Sequence, residues 1–273
     1  MLVGLRPIEE IIVTCIWSGY VAKVKSLSLL IVARVESGKT EMLMQWEGTS
    51  GLYYANDLTA WACTNPRGPI LSGLINREIK HIVVPDLLTP LGRNPDTVET
   101  LATFLNSLIE EGVISLQTYA TKLRLDTPIH CGLIGAIAAE ELERKRKLFL
   151  RIGLMSRLLP ISYSYTPATV VKIRQSIARQ EQPVYYRVKL SLPDTSVPVE
   201  LSQDLANQLI MLTSETMARW KDKDKYYGFR LQKQLQTFAM ARALSQGRDM
   251  VTPEDADFAA DMTKYINFQH GAL

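Results

Sequence analysis

The sequence predicts an α/β protein built on a parallel sheet and followed by a helical region. Three observations lead there. Apolar runs of strand length alternate with helix-spaced segments across residues 24–165, the pattern of strands joined by crossover helices. One such run, 27–32, passes directly into Ala-Arg-Val-Glu-Ser-Gly-Lys-Thr at 33–40 and then into a helix-like stretch. From Ser202 onward the apolar spacing is helical with few breaks.

Residues 7–23 open on Pro-Ile-Glu-Glu and continue with apolar residues at helical spacing, a helix with proline in its first turn. The run 27–32 is a buried strand and 41–46 starts a helix. Residues 51–57, continued through 58–63, read as a second strand, closed by the turn cluster Thr-Asn-Pro-Arg-Gly-Pro at 64–69. Residues 80–86, Lys-His-Ile-Val-Val-Pro-Asp, form a short buried strand that Pro85 stops, because proline brings no ladder donor. The acid at its end, Asp86, would face the crevice in which parallel sheets bind ligands. A helix over 96–111 follows, with Asp96 or Thr97 as its cap. Residues 113–125 alternate as a strand or hairpin, 130–137 read as a buried strand, 138–150 as a charged helix and 158–165 as a further strand. Beyond them the pattern is helical at 166–180, 204–220, 229–246 and 253–265, with a short β excursion at 185–192. Gly247 ends one of these helices, and Thr252 with Pro253 starts the next. The expected division is an α/β core over 1–165 and a helical domain over 166–273.

A chain of 273 residues suits one large domain, or a core plus a smaller one. At 47% hydrophobic and 22% charged residues it is ordinary globular material. The net charge of +3 permits a local basic surface without itself pointing to nucleic acid. Cys15, Cys63 and Cys131 are widely spaced and odd in number, which excludes a disulfide framework and a cysteine metal site. They read as buried small hydrophobes in a reducing compartment. His81, His130 and His270 are too scattered for a metal site. No basic segment leads into an apolar N-terminal core, and no apolar run approaches about 18 residues, so a soluble cytoplasmic protein without membrane association is expected.

The 33–40 segment carries the chemistry. A strand, a loop ending in Gly-Lys-Thr and a helix form the context of a phosphate-binding loop, in which backbone N–H groups and the helix dipole face phosphate oxygens. Ala33, Glu36, Ser37, Gly38, Lys39, Thr40 and Glu41 would line it. Lys39 would reach the β- and γ-phosphates and the Thr40 hydroxyl would hold Mg²⁺, which makes ATP or another nucleoside triphosphate the expected ligand. The motif is relaxed. Ala33 stands where glycine is usual, and Glu36 sets a carboxylate beside a polyanion unless it turns outward. The bland alternative is a strand–turn–helix with an exposed lysine.

At this point the residues resemble a family. The order of a nucleotide-binding core and a helical lid is similar to the AAA+ ATPases, most of all to the branch of the minichromosome maintenance (MCM) helicases, MoxR-type ATPases and magnesium chelatases. MCM-like replication proteins of phages and mobile elements belong with them. Besides the loop, Leu-Asn-Ser-Leu-Ile-Glu-Glu-Gly-Val-Ile-Ser-Leu at 105–116 resembles their helix-into-insert segment. Gly-Leu-Met-Ser-Arg-Leu-Leu-Pro-Ile at 153–161 resembles their arginine-finger segment. Phe-Arg-Leu-Gln-Lys-Gln-Leu at 229–235, with Ala-Arg-Ala-Leu at 241–244 and Val-Thr-Pro-Glu-Asp at 251–255, resembles their lid.

The resemblance implies roles at the matching positions. Arg157 would be an arginine finger that completes a neighbouring subunit's site, against the alternative of a surface arginine. Arg230 would be the second sensor, reaching the γ-phosphate from the lid. Asp86 would hold the Mg²⁺ shell through water. It also implies a homo-oligomer, a ring or spiral of six, acting as a helicase- or translocase-like motor on DNA together with other replication or mobile-element proteins. Two positions depart from the pattern. A water-polarising glutamate should follow Asp86, where this chain has Leu87, and the first sensor falls near apolar Ala136 and Ile137. Glu110, Glu111 and Glu140 are candidate substitutes, with solvated helix carboxylates the alternative. A nucleotide-gated scaffold or loader with little hydrolysis, and a MoxR-like remodeller of proteins, therefore stand beside the motor.

Arg144, Lys145, Arg146 and Lys147, with Arg151, form a basic cluster, and Lys122 and Arg124 lie on the expected hairpin. Such charges can follow a phosphate backbone, and Tyr119 nearby could stack on a base. A solvated helix face explains a charge run equally well. Tyr163 and Tyr165 read as packing residues.

Overall fold

The computed structural model describes residues 4–117, 121–181, 187–219 and 227–267. Helix α1 (Arg6–Ser18) precedes β1 (Leu29–Ala33), α2 (Lys39–Met44), β2 (Leu52–Tyr54), α3 (Ala60–Thr64), α4 (Pro69–Ile75) and β3 (His81–Val84). Next come α5 (Leu88–Leu91), α6 (Pro95–Asn106), a π turn (Ser107–Glu111), β4 (Val113–Gln117) and β5 (Lys122–Ile129). Then follow β6 (Gly132–Ala138), α7 (Ala139–Arg151), a 3-10 turn (Met155–Arg157) and β7 (Leu159–Ser162). The last helices are α8 (Pro167–Ala178), α9 (Gln203–Ala218), α10 (Phe229–Ser245) and α11 (Pro253–Thr263).

Among the described residues, five strands make one parallel sheet in the order β2-β3-β6-β1-β7, and β4 and β5 pair separately as an antiparallel hairpin. Successive side chains of a strand point to opposite faces, and the two cores follow that rule. Leu29 and Ile31 of β1, Val83 of β3, and Ile134 and Ala136 of β6 join α1 and α9–α11 in one hydrophobic cluster. Leu30, Val32, Ile82, Val84, Leu133 and Ile137 join α3–α7 in the other. The sheet is thus covered on both faces, which is why its strands read as unbroken apolar runs. Helix α10 packs on α1 as well as on α9 and α11.

Several expected elements change. Residues 60–64 are helical, not a continued strand, because the Thr59 hydroxyl accepts from Ala62 N at 3.1 Å and caps α3. Helix α6 is capped by Asn94, whose side chain accepts from Thr97 N at 2.9 Å with Pro95 behind it. Asp96 and Thr97 already lie inside the helix. The β excursion expected at 185–192 is absent from 187–192, which runs irregularly with Val188 N donating to Gln45 O. Residues 185 and 186 lie outside the described residues, as do Tyr119, Trp220 and His270. The Thr252 cap is present as a reciprocal box with Asp255, and the two oxygens of the buried Asp255 carboxylate take Nη1 and Nη2 of Arg248 at 2.8 and 2.9 Å. Among the described residues no helix is long and apolar enough to cross a membrane.

Candidate functional site

The loop between β1 and α2 lies at the C-terminal edge of the sheet, the edge at which parallel sheets bind ligands. Gly38 has φ of +79°, a left-handed conformation glycine adopts without cost. Glu36 also has a positive φ, +60°, and is exposed, so its carboxylate lies in solvent instead of against an anion in the loop. Lys39 folds back over the loop. Its Nζ donates to Ala33 O at 3.0 Å, to Arg34 O at 2.6 Å and to Ser37 Oγ at 3.2 Å. Partial burial pulls the Lys39 pKa below its usual value, and the carboxylates of Glu140, Asp86 and Glu41, in that order, push it back up. Four charged side chains from α2, α7 and the end of β3 therefore converge on this edge.

Asp86 is exposed just beyond β3, and its Oδ1 accepts from Leu88 N at 2.9 Å. Thr40, also exposed, stands in the first turn of α2. Among the described residues no three His, Cys, Asp or Glu side chains group as a metal site. The Thr40 hydroxyl and the Asp86 carboxylate are donors of the kind Mg²⁺ takes, since it keeps its waters and uses one or two protein oxygens plus phosphate.

Reading the sequence missed what fixes the loop. Tyr163 and Tyr165, just past β7, both donate to the Ser37 carbonyl, at 2.9 and 2.7 Å. Their alternate spacing put them on one side of the chain, but only the β1–β7 pairing brings that side to the loop. Burial pushes both phenol pKa values up, so both remain donors at neutral pH.

Leu87, which follows Asp86, is 1% exposed. It turns inward over Gly135, where an added Cβ would lie 2.3 Å from Leu87 Cδ1. Ala136 and Ile137 are likewise buried within β6, so the tip of that strand is at Ala138, with Ala139 and Glu140 beyond it.

Arg157 and Arg230 occupy the opposite edge of the sheet. They line a cavity of about 490 Å³ with Leu27 and Ser28, which precede β1, and with Glu110. Arg230 Nη1 donates to Ser156 O and its Nε to Glu110 Oε2, both at 2.9 Å. Arg157 Nη1 donates to Gly153 O at 2.8 Å, and Nη2 lies 3.4 Å from Glu111 Oε1. The length of β1 separates the pair from Lys39, so Arg230 does not reach toward the loop of its own chain. The reason is the packing of α10 along α1, which carries the start of α10 to the 3-10 turn.

The basic residues disperse. Lys122 and Arg124 are exposed on one face of β5, whereas the α7 cluster splits, Arg144 pairing with Glu141 and Lys145 Nζ donating to Leu91 O at 3.2 Å. Arg146 and Lys147 have no such partner among the described residues.

Among solved structures, a full-length MCM homologue from Methanopyrus kandleri matches 98% of this chain and 56% of its own, with a TM-score of 0.59 and 16% identity. The chain thus spans about half the length of that relative. At this identity the likeness establishes the fold, a distant MCM-like α/β architecture. No family model matches the sequence, and no curated protein matches it.

Proposed function

We propose that the chain is an AAA+-type P-loop ATPase: it binds ATP–Mg²⁺ at the 33–40 loop, assembles into a homo-oligomer with sites at subunit interfaces, and drives a helicase- or translocase-like motion on DNA. The observation that carries this reading is the loop itself, with Gly38 left-handed, Lys39 gathered over it and Asp86 beside it at the C-terminal edge of a parallel sheet. Lys39 would exchange its loop carbonyls for the β- and γ-phosphates, while Thr40 and Asp86 hold the metal shell. Bound Mg²⁺ would neutralise charge developing on the phosphates. Residues 166–273 would act as the helical lid.

Arg157 supports the oligomer. Its guanidinium stands at the edge away from its own loop, with a cation neighbour in Arg230, and a neighbouring subunit's γ-phosphate is a fitting anion for it. The exposed Lys122 and Arg124 would follow a DNA backbone. Sedimentation with and without ATP–Mg²⁺, followed by phosphate release with and without DNA, tests the reading. Nucleotide-dependent assembly and DNA-stimulated release are expected; a monomer under all conditions, or release indifferent to DNA, removes the motor. The inward turn of Leu87 favours a second reading, a nucleotide-gated scaffold with little turnover, which the phosphate-release arm separates from the first.

A further inference from the structure

Hydrolysis of a triphosphate in this loop needs a water in line with the γ-phosphate and a group to take its proton. We propose that Glu140, at the tip of β6, is that proton acceptor, an inference that rests on ATP occupying the 33–40 loop.

The register of the sheet carries the argument. Strand β6 lies between β1 and β3. Ala138 is the partner of Ala33, where the loop begins, and Gly135 is the partner of Val84, two residues before Asp86. Glu140, two residues past Ala138, therefore stands at the same sheet edge as Lys39 and Asp86, on the strand that separates theirs. The chain leaves β6 extended at Ala138 and turns into α7, which leaves Glu140 exposed over that edge.

Elimination among the carboxylates points the same way. Asp86 has one oxygen committed to Leu88 N and the place of a metal ligand. Glu41 lies in α2, directly after Thr40 and beside the loop itself. Glu110 and Glu111 are paired with Arg230 and Arg157 at the far edge, and Glu141 is paired with Arg144. Glu140 and Glu41 have no hydrogen-bond or ion-pair partner among the described residues, and of the two only Glu140 follows the strand that lies between β1 and β3. Position 87 cannot serve, since its side chain is in the core.

The step balances without a further reactant. Water oxygen forms a bond to the γ-phosphorus as its proton passes to the Glu140 carboxylate. The bond from the γ-phosphorus to the bridging oxygen breaks, ADP leaves with that electron pair, and the proton returns to phosphate or solvent.

The test uses the full chain with DNA present, measuring ATP–Mg²⁺ binding by calorimetry and phosphate release in a single turnover. Glu140→Gln is expected to keep ATP affinity within about threefold and to lose at least about a hundredfold in release, the lower end of what a positioned base contributes. Glu140→Asp keeps the first-turn charge of α7 but withdraws the carboxylate by one methylene, so it should fold normally and still lose about tenfold or more. Glu141→Gln, its neighbour in the same turn, should release phosphate at the wild-type rate. Wild-type release from Glu140→Gln overturns the inference and leaves nucleotide binding intact. So does a wild-type protein that binds ATP and releases no phosphate. A wild-type protein that takes up no ATP removes the nucleotide-binding reading itself, and the calorimetric arm tells that case apart.

Discussion

Tyr163 and Tyr165 offer a direct way to test whether the loop's shape is what binds nucleotide. Both phenols donate to one acceptor, the Ser37 carbonyl, at 2.9 and 2.7 Å, using its two lone pairs. The double variant Tyr163→Phe/Tyr165→Phe keeps both rings against the α1-side core and deletes only the donors. A neutral hydrogen bond contributes about 1 kcal/mol net, so the pair contributes about 2 kcal/mol. Both side chains are only partly buried, and water regains some of this for the freed carbonyl, leaving about 1.4 kcal/mol. Spent on the population of the binding-competent loop, that lowers apparent affinity about tenfold. Calorimetric titration of ATP–Mg²⁺ into the wild type and the double variant measures it, with thermal melts to confirm that both are folded. Each single variant should weaken binding by less than the double variant does, since the remaining phenol still holds the shared carbonyl and the two effects need not add. A folded double variant that binds ATP as tightly as the wild type refutes the idea that these phenols set the loop.

Three other outcomes follow from the packing. His81 is buried with Nε2 donating to Leu27 O at 3.2 Å, and burial pushes its pKa down to about 4 from 6.5. The unfolded chain therefore binds a proton that the folded chain refuses between those values. Stability should be full above pH 6.5 and fall by about 3 kcal/mol on acidification to pH 4; urea melts across that range check it, and His81→Leu should flatten the part of the slope that this residue causes. Placing the missing carboxylate in line, Leu87→Glu, should not raise phosphate release, because the side chain enters the core over Gly135; it should cost about 3 kcal/mol in a urea melt. Asp255→Ala strips the buried partner of Arg248 and the Thr252 cap together, and should lower stability by about 3 kcal/mol, read as a lowered thermal midpoint.

The parallel sheet was legible because burial on both faces leaves strands such as 29–33 and 132–138 as uninterrupted apolar runs, and because the Gly-Lys-Thr context ties one of them to a loop. Local chemistry misled where two signals competed. Residues 58–63 carry aromatic and small apolar residues that suit a strand, yet the Thr59 cap turns 60–64 into a helix. At α6 the cap lay two or three residues upstream of the expected Asp96 or Thr97, in the Asn94–Pro95 pair. The site was legible along the chain but not across it. Lys39, Thr40 and Asp86 could be found from their own strands. The hold of Tyr163 and Tyr165 on Ser37 depends on the β1–β7 pairing, and the company of Arg230 with Arg157 depends on how α10 packs. Glu140 was one carboxylate of three by sequence; strand order is what sets it beside Lys39. The inward turn of Leu87 similarly required Gly135, a residue 48 positions away, to leave it room.

The claim on which the rest depends is that the 33–40 loop grips a triphosphate through Lys39. Calorimetric titration of ATP–Mg²⁺ into the wild-type chain and into Lys39→Ala, both verified as folded, tests it most directly. Saturable binding by the wild type, weakened at least about a hundredfold in the variant by loss of a charge-assisted contact and its positioning, is the expected result. Equal binding by the two proteins, or none by the wild type, contradicts it.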